Sequence, residues 1–169
     1  MAKIVVLVEE IYEDLELWYP KLRLEEAGFH VSVAGPIAGH VYAGKHGYPC
    51  KADLTFKDVK AADFKGVVIP GGYAPDRIRR HAEALKIVHE CDKAKKLVAC
   101  ICHGGWVAIS AKILQGRKVT SFSAIRDDME NAGARWSDEP VIVDHNLISS
   151  RTPADLPSFL KAILHFLEK

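Results

Sequence analysis

At 169 residues the chain has the length of a single domain, 1–169, able to bury roughly 70% of the surface it exposes when unfolded. Hydrophobic residues at 49% and charged residues at 27% exclude a disordered or fibrous class. Lysine and arginine (23) balance aspartate and glutamate (22), so a formal charge of +1 leaves no footprint for nucleic acid or an anionic membrane surface.

The chain opens MAKIVVLVEEIYED, which turns acidic after a short apolar run and so lacks the pattern of a secretory signal. No apolar run approaches the ~18 residues of a membrane span. The four cysteines, Cys50, Cys91, Cys100 and Cys102, are therefore expected as thiols in a reducing compartment, and the expected location is cytoplasmic.

Residues 3–8 are a β-branched apolar run suited to a strand covered on both faces. Over 14–27, Leu15, Trp18, Leu22 and Leu24 recur near helical spacing; Pro20 predicts a kink or a late start, and Gly28 a stop. FHVSVAG reads as a second strand, and GHVYAGKHGYPCKADL as an antiparallel excursion with glycine turns. FKDVKAADF suits a short helix, and residues 66–69 a third buried strand ending in PGGYAP. Next come a helix over 82–95, which buries Ala84, Leu85, Val88 and Cys91, and a strand over 97–101. Residues 106–114 are helical, KVTSF a strand, AIRDDMENAG a helix ended by Gly133, and VIVDHNLISS a strand pair about an Asp-His-Asn turn. Thr152-Pro153 begins a terminal helix whose regular part Pro157 delays. The alternation predicts an α/β layered fold with a mainly parallel central sheet.

In such sheets ligands collect outside the carboxyl ends of the strands. Three stretches occupy that position: Glu13 after the first strand, Gly71-Gly72 after the third, and Cys102-His103 after the 97–101 strand. A cysteine on a tight strand-to-helix turn, with Gly104 and Gly105 as small neighbours, has the form of a nucleophile elbow, with N–H groups of the helix start aimed at the sulfur to favour its thiolate. A buried structural cysteine is the competing reading. Glu13 is the expected partner acid. A carboxylate ~4 Å from a thiolate costs roughly 4 kcal/mol at an effective dielectric near 20, about three pKa units, so the two would share a proton. Otherwise Glu13 is a first-turn acid favoured by the helix dipole, as are Asp14 and Glu16.

The backbone N–H groups of Gly72 and His103 would make a two-donor oxyanion hole; a plain turn is the alternative for the glycine pair. Neighbouring side chains on a sharp turn usually diverge, so adjacency does not by itself bring His103 to the sulfur. The remaining histidines form no metal set, and no cofactor is expected.

EDLELWYPKLRLEEAG, GKHGY, VIPGGYAPDRIR, ACICHGGW, GRKVTS, DDMENAGARW and SSRTPADLP together resemble the ThiJ/PfpI superfamily, in its intracellular-protease-like and glyoxalase III-like branch. The resemblance implies a flavodoxin-like three-layer sandwich with a nucleophile-elbow cysteine at Cys102, a partner acid at Glu13 and a neighbouring His103. It also implies a homo-oligomer, dimer-based or larger, in which an acid from a neighbouring subunit approaches the histidine. Asp76 holds that position here, where a glutamate is usual. CHGGW replaces the frequent CHGPQ, which puts Trp106 in the pocket beside Gly71, and Phe122 stands where relatives often carry tyrosine.

The resemblance implies three chemistries, which these residues only partly separate. The first is capture of a small α-oxoaldehyde such as methylglyoxal, or of its early adducts on protein or nucleotide, by the Cys102 thiolate. The second is peptide cleavage by a Cys-His pair. The third is a peroxide-sensing thiol with no turnover.

Overall fold

Strand β1 (Lys3–Leu7) forms where its β-branched run predicts, and Ile4, Val5, Val6 and Leu7 are wholly buried because both faces of the sheet are covered. The computed structural model describes residues 1–168. Helix α1 (Asp14–Glu26) continues through Pro20 without the predicted late start. One missing N–H is outweighed by an N-cap at Glu13 and by an inner face of Glu16, Leu17, Pro20 and Leu24. Strand β2 (His30–Gly35) follows, then the hairpin β3 (Val41–Ala43) and β4 (Pro49–Lys51), paired antiparallel as the glycine turns suggest.

The two-residue strand β5 (Leu54–Thr55) extends the sheet beyond β2 through Ala34 and Gly35. FKDVKAADF forms two separate 3-10 turns rather than one helix: Thr55 and Asp58 close a capping box on the first, and Val59 is extended between them. Strand β6 (Gly66–Ile69), helix α2 (Ala74–Ile78), helix α3 (Ala82–Lys93) and strand β7 (Leu97–Ile101) come next, then helix α4 (Gly105–Ser110). KVTSF contributes only β8 (Lys118–Val119). After α5 (Arg126–Asn131) it pairs in parallel with β9 (Arg135–Trp136), apart from the main sheet. Strands β10 (Val141–Asp144) and β11 (Leu147–Ser150) form the predicted hairpin, and α6 (Leu156–Leu167) begins after a 3-10 turn with Pro157 in its first turn.

The main sheet runs β10-β11-β7-β6-β1-β2-β5 and is parallel throughout except at the edge strand β10. Helices α1 and α6 pack together on one face, and α2 to α5 on the other. This is the mainly parallel, flavodoxin-like α/β sandwich. Because β6 lies between β1 and β7 with all three parallel, the loops after these strands meet at one edge. Among the described residues no helix is long and apolar enough to cross a membrane.

Candidate active site

The backbone turns sharply at the end of β7. Ile101 is extended, whereas Cys102 sits at φ +60°, a left-handed conformation that costs a non-glycine residue on the order of 1–3 kcal/mol. The N–H of Phe122 donates to the Cys102 carbonyl at 3.3 Å and helps hold the turn. A 3-10 turn over Cys102–Gly104 then leads into α4, the geometry of an elbow that presents its side chain to the strand-end crevice.

The acid beside the sulfur is Glu16. Its side chain is fully buried, its Oε2 accepts the Gly71 N–H at 2.8 Å, and its carboxyl is in hydrogen-bonding reach of Cys102. Its Oε1 is buried and has no hydrogen-bond partner among the described residues. Glu13, the acid expected there, instead turns back over the first turn of α1, where its Oε2 accepts the Glu16 N–H at 3.0 Å. A cap must cover the orphan N–H groups of its own helix, so it cannot also reach across to β7; the acid three residues on, along the same side of α1, faces the crevice. Glu13 still lines the cavity, with Oε1 3.9 Å from His46 Nε2. The spacing Glu13-x-x-Glu16 is that of an acid cap and its N3 partner, the one signal in the sequence that separates the two roles.

His103 does not diverge from its neighbour: Nδ1 lies 3.3 Å from Cys102 Sγ. The N–H groups of His103 and Gly72 also face the sulfur and favour its anionic form. The Gly72 amide is aimed by a loop that tolerates only glycine, because Gly72 has φ +76° and a Cβ there would lie 2.5 Å from Glu13 N and Ile11 O. A Cβ on Gly71 would lie 2.4 Å from Glu16 Oε2 and 2.7 Å from Cys102 Cβ, so only glycine lets acid and thiol meet. The loop is stitched to residues 11–13 by Glu13 N–H to Gly71 C=O at 3.1 Å and Tyr73 N–H to Ile11 C=O at 2.8 Å.

Burial, followed by the charge of Glu13, pushes Glu16 up to about 8, against the pull of the Gly71 N–H. Burial, followed by the charge of Glu16, pushes the Cys102 thiol up to about 12, and the two facing amides only partly offset this. The thiolate expected from amide donors alone is therefore not free-standing: it depends on where Glu16 keeps its proton. Burial, then Lys45, lowers His103, which favours the neutral imidazole.

These groups line a cavity of about 400 Å3 with Lys45, His46, Tyr73, Trp106, Phe122 and Thr152. Lys45 and His46 were not foreseen. They are brought to the rim because Asp14 accepts the N–H groups of His46 and Tyr48, at 2.8 and 2.9 Å, and so folds the β3–β4 turn over α1. Asp76 is half-buried on α2, paired with Arg80, and does not line the cavity of its own chain. Of the cysteines, Cys102 alone lines this cavity; burial holds Cys50 and Cys91 up at about 11 and Cys100 at about 12. Among the described residues, Glu13, Asp14 and His46 have metal-ligand spacing, but both carboxylates already accept backbone N–H groups.

Residues 2–166 match the DJ-1/PfpI family. The chain is 46% identical over 166 residues to "Deglycase PfpI" of Pyrococcus furiosus, covering 98% of this chain and 99% of that one. It is 40% identical over 166 residues to "Putative cysteine protease YraA" of Bacillus subtilis, covering 98% of each. A crystal structure of a two-domain protein from Anabaena variabilis, with DJ-1/ThiJ/PfpI-like and ferritin-like domains, superposes with a TM-score of 0.98 at 44% identity. That match covers 99% of this chain and 48% of the other, so this chain spans about half of the two-domain protein.

Proposed function

The chain belongs to the DJ-1/PfpI family, and from that premise we propose that it is a cofactor-independent cysteine enzyme acting on small α-oxoaldehydes and their early adducts. The carrying observation is that Cys102 Sγ, the Glu16 carboxyl and His103 Nδ1 share one cavity, with two backbone N–H groups facing the sulfur.

Glu16 and Cys102 titrate as a pair. Once the pair has lost one proton, the other is shared between the two groups. The sulfur faces two amides, whereas the carboxyl receives one. The thiol is held higher than the carboxyl, at about 12 against about 8, so at rest the proton favours sulfur; the reactive form is the one in which it has moved to Glu16, leaving a thiolate that the two amides and the Glu16 hydroxyl stabilise.

The thiolate adds to the aldehyde carbon of methylglyoxal, forming a C–S bond, and the new alkoxide takes the Glu16 proton to give a hemithioacetal. His103, neutral and beside the sulfur, removes the proton from the former aldehyde carbon. His103 returns that proton to the neighbouring carbon while the Glu16 carboxylate passes the hydroxyl proton to the ketone oxygen, which gives a thioester; water hydrolyses it to lactate and the free thiolate, and one proton returns to Glu16. One carbon is oxidised as its neighbour is reduced, so no external oxidant is needed. Capture of a methylglyoxal adduct on an amine begins with the same sulfur attack and releases the amine, an activity in keeping with the relative named a deglycase.

The test is consumption of methylglyoxal by the purified protein without glutathione. The wild type is expected to turn it over and Cys102→Ser to be inactive; full activity in that variant would remove the nucleophile. Stoichiometric oxidation of Cys102 by peroxide with no turnover of any substrate would favour the sensing role instead.

A second reading, peptide hydrolysis, is favoured by one observation, the 3.3 Å contact between His103 Nδ1 and Sγ, and by the Bacillus subtilis relative's name. It requires an oriented imidazole to protonate the leaving amine. In a homo-oligomer, Asp76 of a neighbouring subunit is the acid that would supply that orientation. Loss of fluorogenic-peptide cleavage in Asp76→Ala, with methylglyoxal consumption retained, would assign the second activity to an intersubunit triad.

A further inference from the structure

Among the described residues of its own chain, His103 has no carboxylate to orient it, yet its Nδ1 is held on the sulfur. Two aromatic rings pack against it: Phe122 stacks at 5.2 Å with 30° between planes, and Trp106 meets it edge-on at 5.0 Å and 65°. The indole in turn has space behind it. A second cavity of about 530 Å3 lies on its far side, lined by Arg79, Ile109, Lys112 and Asp128 among others, and Trp106 forms part of the wall of both. An untethered indole would have room to swing away from the imidazole.

Two contacts prevent that. Trp106 Nε1 donates to Asp128 Oδ2 at 2.8 Å, and the Arg79 guanidinium lies over the indole at 5.6 Å from its centre. Arg79 is itself fixed by its Nε, which donates to Ser110 Oγ at 2.9 Å. Asp128 sits on α5 and does not line the Cys102 cavity.

The geometry points to Asp128 as a positioning residue for His103: by fixing the Trp106 indole it keeps that ring against the imidazole, and together with the stacked Phe122 it holds Nδ1 at the sulfur. Ring packing thus does in this chain what a carboxylate partner does in a Cys-His-acid triad. The inference deepens the proposed function, and its kinetic arm rests on that reading. Its other arms depend only on the imidazole and the thiol.

The test compares Asp128→Ala, Asp128→Asn and Trp106→Phe with wild type. The amide oxygen of asparagine can still accept the indole N–H, whereas alanine cannot, and phenylalanine keeps a ring but has no N–H to donate. Three readouts are taken: iodoacetamide alkylation of Cys102, the nitrogen NMR shifts of His103, and methylglyoxal kinetics. Asp128→Ala is expected to lower alkylation and kcat about tenfold, the equivalent of one hydrogen bond to a charged group, with KM nearly unchanged. The His103 ring nitrogens should shift toward tautomer averaging. Asp128→Asn should recover most of the wild-type behaviour. Trp106→Phe should reproduce the alanine effect, and adding Asp128→Ala to it should change nothing further, because the two residues act through one contact.

Wild-type alkylation and NMR shifts in Asp128→Ala would overturn the inference, as would additive losses in the double variant. If instead methylglyoxal turnover survives Cys102→Ser, the functional reading falls, while alkylation and NMR still decide the role of Asp128.

Discussion

At the scale of single residues, the chemistry turns on which of two acids meets the sulfur. Glu13 and Glu16 are three apart and share one side of a helix, so periodicity cannot choose between them. The choice is made by the N-cap, which is a matter of backbone geometry at Glu13, extended at φ −74° and ψ 121°. Cys102, by contrast, was legible, because a cysteine before two glycines at the end of an apolar run has few other places to go. Glu16→Gln tests the proton arrangement. Glutamine imitates the neutral acid and can still donate to sulfur, but it has no proton to give up. Cys102 alkylation in this variant should keep its midpoint within about one pH unit of wild type, while methylglyoxal turnover is lost. Glu16→Ala removes the donor altogether, so its alkylation midpoint should lie about 1–2 units above that of Glu16→Gln, the equivalent of one charge-assisted hydrogen bond. If Glu16→Gln turns over substrate at the wild-type rate, the acid does not relay a proton.

At the scale of elements, what the sequence showed and what it hid divide by where the stabilising contacts lie. Strands β1, β6 and β7 carry their own signal, since each is an apolar run whose burial any pairing would require. Strands β5 and β9 have two residues each and exist only because a distant partner offers its edge: Leu54 pairs with Ala34, and Trp136 with Val119. No window along the chain contains that information. The same holds for the pocket rim. GKHGY reads as a glycine turn, but Lys45 and His46 reach the cavity because Asp14, on another element, accepts two amides of that turn. Asp14 is nearly buried, so Asp14→Ala should lower stability by roughly 2–4 kcal/mol for two backbone donors losing a charged acceptor. It should also free the rim without touching the sulfur. Denaturant unfolding measures the first effect. For the second, KM for methylglyoxal should rise while Cys102 alkylation stays at the wild-type rate; a fall in alkylation would mean that the turn also supports the nucleophile.

At the scale of the whole molecule, the site works against the fold, and the conflict depends on pH. An ordinary glutamate titrates near 4.5, whereas burial and the nearby Glu13 hold Glu16 at about 8 in the folded chain. Between those values the folded protein keeps a proton that the unfolded chain has released. Stability must therefore fall as pH rises from about 4.5 to about 8, and then level off. The span corresponds to roughly 4–5 kcal/mol at ~1.4 kcal/mol per unit. Two other partly buried groups act in the opposite sense. Burial, then Lys45, lowers His103, so its contribution is lost as pH falls through about 6.5. Burial pushes Asp144 up, but the Lys118 N–H and the Arg117 guanidinium outweigh it and leave it low, so its contribution is lost as pH falls below the ordinary aspartate range. The difference between Glu16→Gln and wild type cancels both, because they are common to the two proteins. That difference should be small near pH 4.5 and should grow in favour of the variant up to pH 8, where melting temperatures are expected to differ on the order of 10 °C. Parallel stability curves for the two proteins would mean that Glu16 is ionised in the folded chain throughout this range. The thiolate would then have to form beside a second negative charge, and the shared proton could not be the means by which the fold activates Cys102.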